Sequence, residues 1–382
     1  MTIKIMCASA RQGLTAIALV FALGCPTPRP AQDAGPVLLE DGGLAATRAD
    51  FLGAAGTCSL QAVTKFRAEV DALNAAPTKD NWKRAMKAWQ RVELMQFGPT
   101  GSSSTPGGMD LRDQVYSWPL VSRCSIEDVL VSKRYEAGVG SLLVNRRGLA
   151  TLEYLLFHES DDVICSTAGW AALSATERTA QKQAYAVAVS ADLKVHADAL
   201  VTAWEGGFVE TLRTAGPGNP TYMSTGAAMN QLGAGIFYLD RVIKDLKLAA
   251  PIGLRDCAAP PCLELLESQY AGHNTANLRE NLVALRQLLE GCEPGYTGVG
   301  FDDLLIGARA SALADRQHEL LLAAEAALAA IEEPDLKEAL VTDPASVRAF
   351  YDALKAITDL LKSEFVTVLD IDLPMGLEGD ND

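Results

Sequence analysis

Helix signals punctuate this chain from about residue 44 to its end, and that narrows the possible folds more than any other feature. Ser, Thr and Asp start signals, apolar residues at i, i+3 and i+4, and Gly or Pro stops recur in turn. The alternating pattern of a half-buried strand is nearly absent. Residues 44–74 carry an apolar stripe that stops before Pro77. Thr78 caps the next segment, where Trp82, Met86, Trp89 and Val92/Glu93 recur at helical spacing, and Trp82 and Trp89 read as core. Residues 98–108 read as a loop, and Trp118 in "YSWPL" is held extended by Pro119. Ser125 with Asp128, and Ser174 with Glu177, read as capping boxes. The second opens a helix that runs to about Trp204 and stops at Gly206-Gly207. Further helices are expected over about 222–248, 275–290, 302–331 and 344–369. The expected fold is all-α, two packed helical bundles over 42–215 and 216–382 with a soft boundary at 216–220.

The first residues do not belong to that pattern. Lys4 and Arg11 form a weakly basic start, "LTAIALVFAL" (14–23) is an apolar run, and Gly24-Cys25 follows at once, so residues 1–24 read as a secretory signal. The run is too short to span ~30 Å of hydrocarbon comfortably at ~1.5 Å per residue. The small residue before Cys25 has the look of a bacterial lipoprotein signal, which makes Cys25 the lipid-bearing first residue and 25–41 a disordered tether. Export fits the cysteine usage. Beyond Cys7 and Cys25 there remain Cys58, Cys124, Cys165, Cys257, Cys262 and Cys292, an even set that suggests disulfides. Cys124 with Cys165 is the first pair to expect, since both flank one segment, and Cys257 with Cys262 brackets a turn, "AAPP". No Cys or His spacing suggests a zinc site. Charge excludes one class of partner: 33 Lys+Arg against 48 Asp+Glu give −15, unsuited to nucleic acid and to adhesion on anionic membranes.

One carboxylate stands where an apolar residue is expected. In "RRGLATLEYLLFH" (146–158), Leu149, Glu153 and Phe157 form an i, i+4 row flanked by Leu152 and Leu156. Burying that carboxylate without a partner would cost several kcal/mol. Glu153 therefore either pairs with another helix or lines a polar cleft. Trp118-Pro119 shapes a turn that buries the indole, or forms a cleft wall. "HESDD" (158–162) and "HELLL" (318–322) begin like HExxH but lack its second His, no GxSxG elbow is present, and no catalytic residue is assigned. The terminal "EGDND" offers oxygens to a hard cation but reads first as a solvated tail.

Several segments, in this order, resemble the imelysin-like proteins: "AMKAWQRVELMQFGP", "YSWPLVSRCSIEDVL", "RRGLATLEYLLF", "KLAAPIGL", "GHNTANLRENLVALRQLLEG", "GVGFDDLL" and "LPMGLEGDND". The resemblance covers nearly all of the chain beyond residue 45. It implies an exported bacterial protein, an all-helical fold in two bundle-like halves, and a Gly-x-His-x-x-Glu motif at a cleft between them. It also implies either metallopeptidase activity, as in the insulin-cleaving member, or a part in iron uptake or metal binding. Here the motif reads Gly148, Ala150, Glu153, so the His position holds no ligand atom. A His and a Glu at i and i+3 would share one helix face and one metal ion; with Ala150 that pair cannot form. His158, about 140° further round the helix, does not replace it. Arg123 and Arg241, each in a segment of the resemblance, are the candidate partners for Glu153, and Gly148 would admit close approach of backbone or ligand.

The expectation is thus a lipid-anchored imelysin-like protein of the outer membrane, facing the periplasm, that binds a metal, an iron-related species or an envelope protein without hydrolysing peptides. Glu153 is the residue expected in any surviving site, as a metal ligand or hydrogen-bond acceptor. A metallopeptidase with an altered ligand set is the alternative, and an envelope protein with a dead site is the third reading.

Overall fold

The computed structural model describes residues 44–160, 162–165 and 169–374. The signal, Cys25, the tether and the acidic tail lie outside the described residues. Among the described residues there is no strand; beyond isolated bridging, such as that between Glu293 and Thr297, they form helix and loop. The all-α expectation is met.

Two long helices and a hairpin form the first scaffold. α1 (Arg48–Ala75) starts at a capping box between Thr47 and Asp50, and α2 (Lys79–Glu93) starts at Thr78 as expected. α3 (Leu111–Val115), α4 (Arg123–Ser132) and α5 (Gly148–Phe157) follow. The cap of α4 is Ser122, whose hydroxyl accepts the Ser125 amide, so Ser125 lies inside the helix and does not cap it. α6 (Ala175–Ala203) has the Ser174–Glu177 box, and its helical path is interrupted at Gly207, φ 107°, before α7 (Val209–Arg213). α1 packs on α2, α6 and α7, and α5 packs on α6. Trp82, Trp89 and Trp204 are fully buried in this part.

Beyond 216–220 the expected helix over 222–248 is two unlike pieces: α8 (Thr225–Ile236), capped by Ser224, and a π-wound segment, Leu239–Ala249. That segment buries Asp240, Lys244, Asp245 and Lys247 together, and these charges need partners in two directions. Lys244 sits between Asp240 (3.4 Å) and Asp245 (2.7 Å), while Lys247 turns toward α2. α9 (Asn274–Glu290) is followed by α10 (Phe301–Gly307) and α11 (Ser311–Ala329), which divide the expected 302–331 helix at Arg309, φ 62°. α12 (Leu336–Thr342) was not foreseen; α13 (Pro344–Leu360) and α14 (Val366–Leu369), joined by another π turn, complete the chain. α11 packs on α13, α13 on the π segment, and α2 on α9, so helices from either side of 216–220 meet directly.

Three disulfides use all six remaining cysteines. Cys124–Cys165 and Cys257–Cys262 are the pairs expected from the sequence, and Cys58–Cys292 ties α1 to the loop after α9. Among the described residues no helix is long and apolar enough to cross a membrane.

Candidate functional site

α5 is fixed at its start from two sides. Gly148 has φ 75°, and a Cβ there would lie 2.4 Å from the Val115 carbonyl oxygen. The close approach that glycine permits is therefore to backbone. The indole Nε1 of Trp82 donates to the Leu149 carbonyl (2.8 Å) and ties α2 to α5. From this seat α5 turns Ala150 and Glu153 toward one cavity of ≈530 Å³. Trp118 and Pro119, joined by a cis peptide, and Arg123 wall it from the first half of the chain; Glu267 and Tyr270 wall it from the second.

Glu153 is buried, and among the described residues no arginine pairs with it. Its Oε1 accepts the backbone N–H groups of Tyr270 (2.9 Å) and Ala271 (3.0 Å). Burial pushes its carboxyl up to about 8; the two amides oppose that rise, and repulsion from Glu267 and Asp335 adds to it. At neutral pH Glu153 is therefore mainly a carboxylic acid. Neither expected partner is used. Arg123 donates to Glu127 (2.7 Å) and Asp162 (3.0 Å) and lies beside the His158 ring (3.1 Å), and Arg241 is exposed. Trp118 satisfies both readings of its motif, since its indole is buried and also lines the cavity.

The cations near Glu153 serve other acids. Lys247 Nζ contacts Glu93 (2.8 Å) and Glu267 (2.9 Å) and donates to Gln90 (2.6 Å) and Asn281 (3.0 Å). Glu267 also accepts from the Tyr116 hydroxyl, Gln90 and Asn277. Glu93 also accepts from Tyr238 and Arg112. Burial would raise the Glu93 carboxyl, but Lys247 and Arg112 outweigh it and hold it below the ordinary range. Lys247 is thus shared by Glu93 and Glu267, and Arg112 by Glu93 and Asp113, so both cations are committed to acids other than Glu153. Sequence reasoning missed this cluster, although a signal existed. Asn274, Asn277 and Asn281 lie at i, i+3 and i+7 among the leucines of α9, and Gln90 and Glu93 lie at i, i+3 on α2. Asn is a weak helix former, so a row of it inside a helix marks an inward polar face.

The donor set does not suit a metal ion. Among the described residues no group of three or more His, Cys, Asp or Glu side chains is placed to hold one. Glu153 already accepts two amides at Oε1, Ala150 offers nothing, and Glu267 is saturated by Lys247 and its neighbours. No histidine lines the cavity. His158 stacks on Tyr154, His196 faces Asp192, His318 pairs with Glu290, and His273 packs against Trp82. The expectation of Glu153 as a metal ligand finds no companion ligands.

The family model for imelysin, Peptidase M75, matches residues 51–363, most of the chain and all of this site. The chain belongs to the imelysin family. The iron-regulated protein A of Synechococcus elongatus is 22% identical over 326 residues, which cover 83% of this chain and 81% of that protein. The crystal structure of an iron-regulated protein A precursor from Parabacteroides distasonis has the same fold, with a TM-score of 0.62 at 16% identity over 84% of this chain and 95% of that one. Within this imelysin fold Gly148 opens α5, and Ala150 and Glu153 line the cavity.

Proposed function

We propose that this imelysin-family protein is an exported, lipid-anchored binding protein of the cell envelope, that its ligand enters the Glu153 cavity, and that it does not hydrolyse peptides. The observation that carries the reading is the state of Glu153. The carboxyl is buried, one oxygen is held by two amides, burial favours its protonated form, and among the described residues no set of companion metal ligands surrounds it. A cavity of ≈530 Å³ is within the ~300–1,000 Å³ of small-molecule sites. Trp118, Tyr270 and Arg123 supply flat and cationic walls suited to an organic, oxygen-rich molecule. Iron enters through the relatives' names alone, and a ferric chelate joins the two arguments: its organic ligand would meet the cavity while the metal keeps its own donors.

Ferric citrate is the first probe. It should raise the thermal midpoint of the wild type in proportion to occupancy and leave Ala150→Trp, which fills the cavity, unshifted. If ferric citrate, ferric ion and zinc all leave the wild type unshifted, the iron-related version is wrong. Incubation with an unfolded protein substrate addresses the other half. Chelator-sensitive cleavage that Glu153→Gln abolishes would establish the metallopeptidase reading in its place.

A further inference from the structure

A second hollow lies on the opposite side of α2 from the cavity cluster. Gln90 and Glu93 point inward, whereas Arg84, Lys87, Ala88 and Arg91 form an i, i+3, i+4, i+7 stripe that faces Lys65 of α1. The small Ala88 side chain leaves a hollow of ≈240 Å³ in the middle of the stripe. Four cations line it, with Glu69 and Glu280. The two carboxylates lie deep, with side chains 16% and 9% exposed, and each is shared by two cations. Lys65 (2.7 Å) and Arg84 (3.2 Å) hold Glu69; Lys87 (3.5 Å) and Arg91 (2.6 Å) hold Glu280. The cations themselves remain between 41% and 66% exposed. Two positive charges are thus in excess, on the solvent side of the hollow, in a chain whose net charge is −15. A solvated helix face on so acidic a chain would be expected to mix signs. Here the acids are withdrawn to the floor.

We infer that this hollow between α1, α2 and α9 binds a phosphoryl-type oxyanion. The hollow is smaller than the ~300–1,000 Å³ of drug-sized sites and has room for a small polyatomic ion, since one water needs only ~10–15 Å³ on the same measure. Arg84 and Arg91 each meet a carboxylate through Nε, at 3.2 and 2.6 Å. The guanidinium fork of Arg91 carries terminal N–H groups suited to a second oxyanion. Lys65 and Lys87 add point charges from opposite sides. Free phosphate and the phosphodiester of a lipid headgroup share this chemistry.

Calorimetric titration of the purified protein at low ionic strength tests the site, because the Debye length is ~8 Å at physiological salt and screening weakens exposed cations. The probes are inorganic phosphate and glycerophosphoglycerol, a soluble phosphodiester headgroup. Binding of either, weakened at least tenfold in Lys65→Gln/Lys87→Gln, supports the inference. Preference for phosphate assigns a free oxyanion, and preference for the diester assigns a headgroup. Lys87→Gln alone is read if the double variant does not fold. Binding of neither probe, or binding that survives the substitutions undiminished, overturns the inference.

Discussion

Replacing Glu153 by Gln should stabilise the protein, and the gain should depend on pH. Glu153 titrates at about 8 in the folded chain against an ordinary value of 4.5. Its folded value is raised, so the unfolded chain releases this proton first. Stability is greatest below pH 4.5 and falls as pH climbs toward 8. One unit is worth ~1.4 kcal/mol, so at pH 7 the acid costs about 3 kcal/mol relative to a side chain that does not ionise. A further loss of about 1.4 kcal/mol follows between pH 7 and 9, as the folded form itself ionises. Gln matches the neutral acid in shape, and its carbonyl oxygen can accept the same Tyr270 and Ala271 amides. Urea unfolding of wild type and Glu153→Gln across pH 4–9, with disulfides intact, isolates this group because every other titration is common to both. The difference should be near zero at pH 4 and about 3 kcal/mol in favour of Gln at pH 7. A Gln variant less stable at pH 7, or a difference flat with pH, would refute the argument. It would mean that the two amide donors outweigh burial and that Glu153 is a carboxylate.

Three other substitutions probe the frame around it. Lys247→Met leaves Glu93 and Glu267 buried without their shared cation and should cost ~3–5 kcal/mol in chemical unfolding at neutral pH. Gly148→Ala combines a left-handed φ with a clash against the Val115 carbonyl and should cost about 2–4 kcal/mol, read as a lowered thermal midpoint. Cys58→Ala/Cys292→Ala opens the link with a sequence separation of 234 residues and should lower unfolding free energy by ~5 kcal/mol, more than the loss of the short Cys257–Cys262 loop.

What was legible in the sequence follows the range of each interaction. Capping boxes and helix stops are local, so Thr78, Ser174 and Gly207 were readable from their neighbours. The wide winding at 239–249 was not: Lys244 is held by its neighbours Asp240 and Asp245, but Lys247 serves Glu93 and Gln90 on α2, partners more than 150 residues away in sequence. The same distinction governs the site. Periodicity places Glu153 on the buried face of α5, and that reading is correct. Its partner was sought among side chains of opposite charge, because charge is what a sequence displays. Backbone amides carry no letter. The Tyr270–Ala271 peptides reach Glu153 across more than a hundred residues, and the nearby cations are already committed, Arg112 to Glu93 and Asp113 and Lys247 to Glu93 and Glu267. Once Lys247 is committed to those two acids, the least unfavourable state for a third buried carboxyl is the protonated one. A protonated Glu153 beside Ala150 would give the cavity a hydrogen-bond donor where a metal site needs acceptors, and that difference is the chemical basis of the binding role proposed for this chain.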